Sequence, residues 1–349
     1  MRIDLPAEPK RILIVKPSAL GDIVHTLPFL YLLRQRFPNA HIAWLVVPAF
    51  ASLLEGHPLL NDVIRFDRRG MANWWRDLPA ASKLLKFSSD LRRQRFDLVI
   101  DLQGLLRSGW ITWQTRAPVR VGFSYAREGG AHFYTHRVPT RTHEKHATER
   151  YLDIAEALGC GRGPIVFDFA MAEIDRLVAA ELTGRAERYA VLLPGTNWAT
   201  KRWPEEYFAQ LVRPLREEFG LDVFIAGGAD VAPIRFDGAT SLAGRTSLRQ
   251  LAALLDRASL VVANDSGPMH VAAALGRPLV AVYGPTNPVR TGPYLREDAV
   301  LQLDLPCRPC YSRTCVHQSC LRWLAPADVL RAARQQIADF SADIAERRR

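Results

Sequence analysis

The chain has 349 residues, enough for two domains with separate cores, and its 48% hydrophobic and 23% charged residues exclude a disordered or collagen-like polymer. No run nears the ~18 apolar residues of a membrane span. The opening "MRIDLPAEPKRILIVKPSALGD" stops its short apolar stretch at Lys16 and Pro17, unlike a signal peptide, so the cytoplasm is the expected compartment.

A net charge of +10 favours anionic partners, whether nucleic acid, a phosphorylated substrate or an anionic membrane surface. "RILIVK" (11–16), "HIAWLVV" (41–47) and "FDLVIDL" (96–102) are continuous apolar runs of strand length. Continuous runs imply burial on both faces, hence a parallel sheet covered by helices. Ile23, Leu27, Leu30 and Leu33 recur at helical spacing, and Pro28 among them marks a helix start or a kink. The basic stretch "KLLKFSSDLRRQR" (83–95), just after Trp74 and Trp75, reads as a solvated helix face or as a helix lying on anionic head groups.

The second half repeats this grammar. "YAVLLPG" (189–195), "DVFIAGG" (222–228), "SLVVAND" (259–265) and "PLVAVYG" (278–284) are strands, and "EEYFAQLVRPLREEFG" and "SLRQLAALLDRA" are helices between them. Gly220 and Gly276 stand where helix C-terminal caps belong. Residues near 165–188 read as the linker, and the chain is helical beyond Trp323. The expected domains are 1–170 and 171–349, two Rossmann-like doubly wound halves whose ligands bind at the carboxyl ends of the strands, in a cleft between them.

Three loops follow strands directly. "KPSALGD" (16–22) places Ser18, Gly21 and Asp22 at a strand-to-helix turn, where Asp22 is either a helix cap or a general base. "PGTNWATKRWP" (194–204) offers the hydroxyls of Thr196 and Thr200, the Asn197 amide and the Lys201 cation, a set suited to a diphosphate. It lacks the order of a Walker loop. "NDSGPMH" (264–270) opens a helix behind Pro268, so Ser266 and Gly267 sit at a helix N-terminus ready for an anion, with Asp265 better placed to orient the loop than to touch phosphate. "YGPTNP" brings Thr286 and Asn287 to the same edge.

Four of the five cysteines fall in "CRPCYSRTCVHQSC". In a reducing compartment, Cys307, Cys310, Cys315 and Cys320 are either free thiols on a loop or the ligands of a structural zinc. A zinc-knuckle nucleic-acid binder is the reading from another class. It requires a basic, aromatic surround, of which only Arg308, Tyr311, Arg313 and Trp323 are present, and it leaves the three loops unexplained.

Taken in order, "ILIVKPSALGDIVHTLP", "DLVIDLQGLLRSG", "PGTNWATKRWP" and "NDSGPMHVAAALGRPLVAVYGPTNP" resemble glycosyltransferase family nine, the ADP-heptose:lipopolysaccharide heptosyltransferases. The resemblance implies the α/β GT-B fold, with the acceptor on the first domain and the ADP-sugar on the second, and it leaves room for the C-terminal helix to cross back. It implies metal-independent, inverting transfer of heptose from ADP-L-glycero-D-manno-heptose to the lipopolysaccharide inner core, with transfer from another nucleotide sugar or to another glycan as the alternative within the family. The enzyme would work at the inner face of the cytoplasmic membrane, need no catalytic cofactor and bind no nucleic acid. By position, it implies Asp22 as the base and Lys201 as the partner of the diphosphate. Thr196, Asn197, Thr200, Asp265, Ser266, Gly267, His270 and Thr286 would surround the donor, with Asp230 a candidate for the ribose. Ser18, Gly21, Arg68, Arg69, Gln103 and Arg127 would meet the acceptor.

Overall fold

The apolar runs of the first half assemble, in the computed structural model, into a six-stranded sheet in which every pairing is parallel. The structure describes residues 2–68, 70, 76–139 and 145–347; Arg69, Trp74 and Trp75 fall outside this set. The chain divides into two units, Met1–Ala170 and Met171–Arg349.

In the first unit β1 (Arg11–Val15) leads to α1 (Leu20–Arg36), then β2 (His41–Val46), α2 (Pro48–Leu54), β3 (Asp62–Arg65), α3 (Leu78–Arg93), β4 (Leu98–Asp101), α4 (Leu106–Gln114), β5 (Val119–Phe123), β6 (His136–Val138) and α5 (Ala147–Ala157). The sheet order is β3-β2-β1-β4-β5-β6, so the winding reverses between β1 and β4. Ligands of such sheets bind at the strand carboxyl ends beside that reversal. Helix α1 begins at Leu20 and runs through Pro28 instead of starting there. One face of the sheet, with Leu13, Val15, Ala43, Leu45 and Val99, packs against Leu91 of α3 and Ile111 of α4.

The second unit begins with α6 (Glu173–Leu182), which packs on a later helix of the same unit rather than acting only as a linker. It continues with β7 (Tyr189–Leu193), α7 (Glu205–Glu217), β8 (Asp222–Ile225), β9 (Thr240–Ser241), α8 (Leu248–Asp256), β10 (Leu260–Asn264), α9 (Gly267–Ala274), β11 (Leu279–Val282), α10 (Pro288–Thr291), β12 (Val300–Leu301), α11 (Ser319–Arg322) and α12 (Pro326–Arg347). The order β12-β11-β10-β7-β8-β9, again all parallel, repeats the first topology, with the reversal between β7 and β10. Helix α12 packs on α7, β10 and β11 of its own unit. Trp203 fills the core beneath the reversal, its indole N–H donating to the Leu324 carbonyl at 2.9 Å. Gly220 and Gly276 both hold positive φ, +63° and +67°, just past α7 and α9, where only glycine enters without strain.

Candidate active site

The β1–β4 reversal of the first unit gathers a charged cluster. Asp22 occupies the third position of α1, and its Oδ2 accepts from the Ala19 backbone N–H at 3.2 Å, half of a capping box. The same oxygen lies 3.5 Å from the Lys16 ammonium, and Oδ1 accepts from the Tyr151 hydroxyl at 3.4 Å. Lys16 is 3% exposed while Asp22 is 38% exposed, so the carboxylate is pinned from inside yet open to solvent. A cap and an accessible base are therefore compatible at this residue.

Lys16 follows the last residue of β1, donates to the Leu102 carbonyl at 3.1 Å and stands 5.2 Å from the centre of the Tyr151 ring. Burial lowers its pKa from the ordinary 10.5, against the pull of Asp22 and Asp101. Burial likewise pushes the Tyr151 hydroxyl well above its ordinary value, and Asp22 adds to that. Arg150, one residue before, feels the Asp22 charge and points its guanidinium at the Tyr125 hydroxyl, 3.5 Å away.

Asp101, at the end of β4, is fully buried and both of its oxygens are taken. Oδ1 accepts from the backbone N–H groups of Gln103 and Gly104, at 2.8 and 3.1 Å, and Oδ2 from the Tyr134 hydroxyl at 2.7 Å. Burial raises its pKa despite these bonds. Fully buried, it shapes the loop and does not reach solvent. Gln103 Oε1 accepts from the Ser18 N–H at 3.4 Å, joining the loops after β1 and β4, and Gly21 is buried in the first turn of α1. The Arg127 backbone N–H bonds the Gly104 carbonyl at 2.9 Å, which carries its exposed side chain beside that loop. Arg68 is exposed just past β3.

The β7–β10 reversal of the second unit holds a second cluster. Asp265 is nearly buried, and its Oδ2 meets the Lys201 ammonium at 2.6 Å and the Thr286 hydroxyl at 2.5 Å. Thr196 donates its hydroxyl to the Asp265 carbonyl at 3.0 Å. Asn264 clamps the loop after β7, donating to the Pro194 carbonyl at 2.7 Å and accepting from the Trp203 N–H at 3.1 Å. Gly195 is required by closeness: a Cβ there would stand 2.5 Å from Val231 Cγ2 and 3.1 Å from Asp230 Oδ2. Ser266 caps α9, and its buried hydroxyl oxygen has no hydrogen-bond partner among the described residues. An orphan hydroxyl at the head of a helix is an open place for an anion. Met269 and His270 follow it, both buried, and Asn197 is exposed.

Four of the expected site residues already have partners within the protein. The hydroxyl protons of Thr196, Thr200 and Thr286 are all spent inside the protein, Thr200 on the Ser312 carbonyl at 2.8 Å, so none is left to donate to phosphate in this arrangement. Lys201 is shared with Asp265 rather than standing as an isolated cation.

The four cysteines lie on the loop that follows β12, Cys320 where it enters α11. Cys307 and Cys310 are exposed, Cys315 and Cys320 half-buried, and among the described residues no group of three or more His, Cys, Asp or Glu side chains converges to hold a metal. Arg308 organises the loop: its guanidinium donates to the carbonyls of Gly284, Leu303 and Thr286 and to Gln302. Cys310 and Tyr311 donate their N–H groups to the Pro285 carbonyl, and Arg313 lies over the Trp198 ring at 4.6 Å. The loop thus braces both 194–204 and 284–287.

Sequence reasoning missed Lys16, Tyr151, Arg150, Asn264 and Arg308. Lys16 carried a usable signal, a lone charge ending an apolar strand one turn before the loop carboxylate.

Two doubly wound parallel sheets in one chain are the architecture of the GT-B glycosyltransferases. The glycosyltransferase family 9 (heptosyltransferase) profile matches residues 84–321. Lipopolysaccharide heptosyltransferase 1 of Pseudomonas aeruginosa is 36% identical over 319 residues, 88% of each chain. Its Escherichia coli K12 counterpart of the same name is 32% identical over 83% of this chain and 92% of its own. The solved structure of E. coli heptosyltransferase WaaC with ADP-2-deoxy-2-fluoro heptose aligns with a TM-score of 0.74 at 29% identity, covering 93% of this chain and 99% of that one. The chain belongs to glycosyltransferase family 9.

Proposed function

We propose that this enzyme transfers heptose from ADP-L-glycero-D-manno-heptose to the inner core of lipopolysaccharide by a single inverting displacement. The two relatives above are both named lipopolysaccharide heptosyltransferase 1, and one solved structure of the family holds an ADP-heptose analogue. The observation that carries the mechanism is Asp22: a carboxylate anchored by Ala19, Lys16 and Tyr151 and still 38% exposed.

In this reading Asp22 takes the proton of the acceptor hydroxyl as that oxygen attacks the anomeric carbon and the bond to ADP breaks. General-base help of this kind is worth about 10²–10⁴-fold. Residues 1–170 bind the acceptor, with Ser18, Gly21, Gln103, Arg68 and Arg127 around it, and residues 171–349 bind the donor. Lys201 and the head of α9, with Ser266 and Gly267, meet the charge growing on the departing diphosphate, each donor worth a few kcal/mol. Asp265, Thr286 and Thr196 hold that apparatus in place, with Asn197 and His270 beside it. No metal takes part in the step. The acceptor is a membrane lipid, so the enzyme works as a peripheral protein at the inner face of the cytoplasmic membrane; no described helix is long and apolar enough to cross it.

The test is Asp22→Asn against Asp22→Ala, with melting temperature, ADP affinity and heptose transfer measured on each. Asn keeps the capping oxygen, so it retains stability and ADP affinity while turnover falls at least about a hundredfold. Ala additionally loses about 0.5–2 kcal/mol of stability. An active Asn variant would return Asp22 to a purely structural role.

A further inference from the structure

Helix α3 keeps two sides of different chemistry. Its inward side sends Leu91 into the core below the sheet, with Leu84 and Phe87 packed against that core. Its outward side carries Leu78 and Leu85, 85% and 71% exposed. Seven residues apart, they stand one above the other two turns along the helix. Lys86 and Arg93 share that outward side, and both pair with the one carboxylate of Asp90, at 2.7 and 3.3 Å.

Helix α4 lies alongside on the same sheet face, joined where the Arg92 guanidinium donates to the Gln114 carbonyl at 3.2 Å. It repeats the pattern. Ile111 points into the core, while Leu106 and Trp113, again seven apart, are exposed next to the exposed Arg107 and Arg116.

Two adjoining helices therefore turn four large apolar side chains outward, and they do so inside a cationic field. Arg76, Lys83, Lys86, Arg92, Arg93 and Arg95 face only Asp77 and Asp90 between residues 76 and 95, six positive charges against two negative. A stable protein interface depletes lysine and gathers its apolar groups into a desolvated centre. Leucine and tryptophan spaced among lysine and arginine suit a bilayer surface instead. There the apolar tips enter the head-group boundary and the cations meet anionic lipid.

We propose that the outward side of α3, with the adjoining side of α4, docks on the anionic surface of a lipid bilayer. This stands apart from the transfer reaction, because none of these residues belongs to the site described above. It holds the first unit against the membrane without inserting a helix.

The test uses the full chain with phosphatidylcholine vesicles, with and without admixed phosphatidylglycerol, in a sedimentation assay. Wild type binds the anionic vesicles, releases at high salt and ignores the neutral ones. Each basic residue near such a surface contributes about fivefold, so Lys83→Gln/Lys86→Gln/Arg93→Gln weakens binding roughly a hundredfold. Leu78→Ser/Leu85→Ser weakens it at least about tenfold. Both variants keep the stabilisation by ADP, which shows that they are folded. Equal binding to neutral vesicles, no binding to anionic ones, or wild-type binding by the leucine variant would overturn the proposal. So would a leucine variant that only turns a dimer into a monomer, since the face would then be a protein contact. If ADP failed to stabilise wild type, the donor reading would fall while the vesicle result stood.

Discussion

Lys16→Met removes the buried cation behind Asp22 and keeps nearly the same volume. At 3.5 Å, an ammonium–carboxylate pair would attract by ~5 kcal/mol at an effective dielectric near 20. Because Asp22 is more than a third exposed, water screens most of this, leaving about 1–2 kcal/mol. That attraction holds the carboxylate in its place beside Ala19 and Tyr151, so its loss lets Asp22 leave the geometry that proton transfer needs. With one of three anchors gone, turnover near neutral pH falls roughly tenfold while ADP affinity holds. Stability supplies an independent check. Burial lowers the Lys16 pKa below 10.5 in the folded state, so between that lowered value and 10.5 the unfolded chain binds more protons. The burial penalty is in full force below the folded pKa and is relieved as pH rises through it. Wild type therefore gains stability relative to Lys16→Met as the pH is raised from neutral towards 10.5. The assay is a set of initial rates near neutral pH beside a pH series of melting curves. Full turnover near neutral pH, or a stability difference that shrinks or stays flat with rising pH, would refute the reasoning.

Lys201→Ala strips Asp265 of its cation; ADP then ceases to raise the melting temperature more than AMP does, and stability drops by about 3 kcal/mol, both read from thermal shift. Arg308→Met leaves the carbonyls of Gly284, Leu303 and Thr286 short of a donor. It costs about 2–4 kcal/mol of stability and raises KM for ADP-heptose more than it lowers kcat, as steady-state kinetics would show. Cys307→Ser/Cys310→Ser, and treatment with a chelator, leave melting temperature and transfer rate unchanged, because Arg308 braces the loop through four hydrogen bonds.

Seven strands were legible because they are buried on both faces and read as unbroken apolar runs: β1, β2, β4, β7, β8, β10 and β11. The outer strands β3, β5, β6, β9 and β12 lack such runs. β9 and β12 have two residues each, and β5 is interrupted by Arg120, whose guanidinium serves the carbonyls of Phe133 and Ala117. The loops carrying Asp22, Lys201 and Asp265 were legible because each follows a strand directly and holds residues costly to place there without purpose. Their partners were not. Tyr151 meets Asp22 across 129 positions, Thr200 meets Ser312 across 112, and Arg308 reaches Gly284 across 24. No local pattern encodes a pairing at that separation, so Thr200 read as a free hydroxyl and Arg308 as a residue between cysteines.

The repeated topology brings one motif to both units and turns it in opposite senses. At each reversal a lysine pairs with an aspartate, and a hydroxyl completes the carboxylate: Tyr151 on Asp22, Thr286 on Asp265. In the first pair the lysine is 3% exposed and the aspartate 38%, so the unit presents an anion. In the second the lysine is 15% exposed and the aspartate 5%, so the unit presents a cation. The reaction proposed here needs one of each, a carboxylate to receive a proton and an ammonium to meet a leaving diphosphate. A buried partner of opposite sign explains how each can wait without substrate, since an unpaired charge at a sheet reversal would lose several kcal/mol to desolvation. It also limits Lys201. Asp265 already draws on its charge, so in the proposed reaction a diphosphate would share that ammonium rather than capture it, and the Ser266 hydroxyl and the head of α9 would supply the rest of the grip.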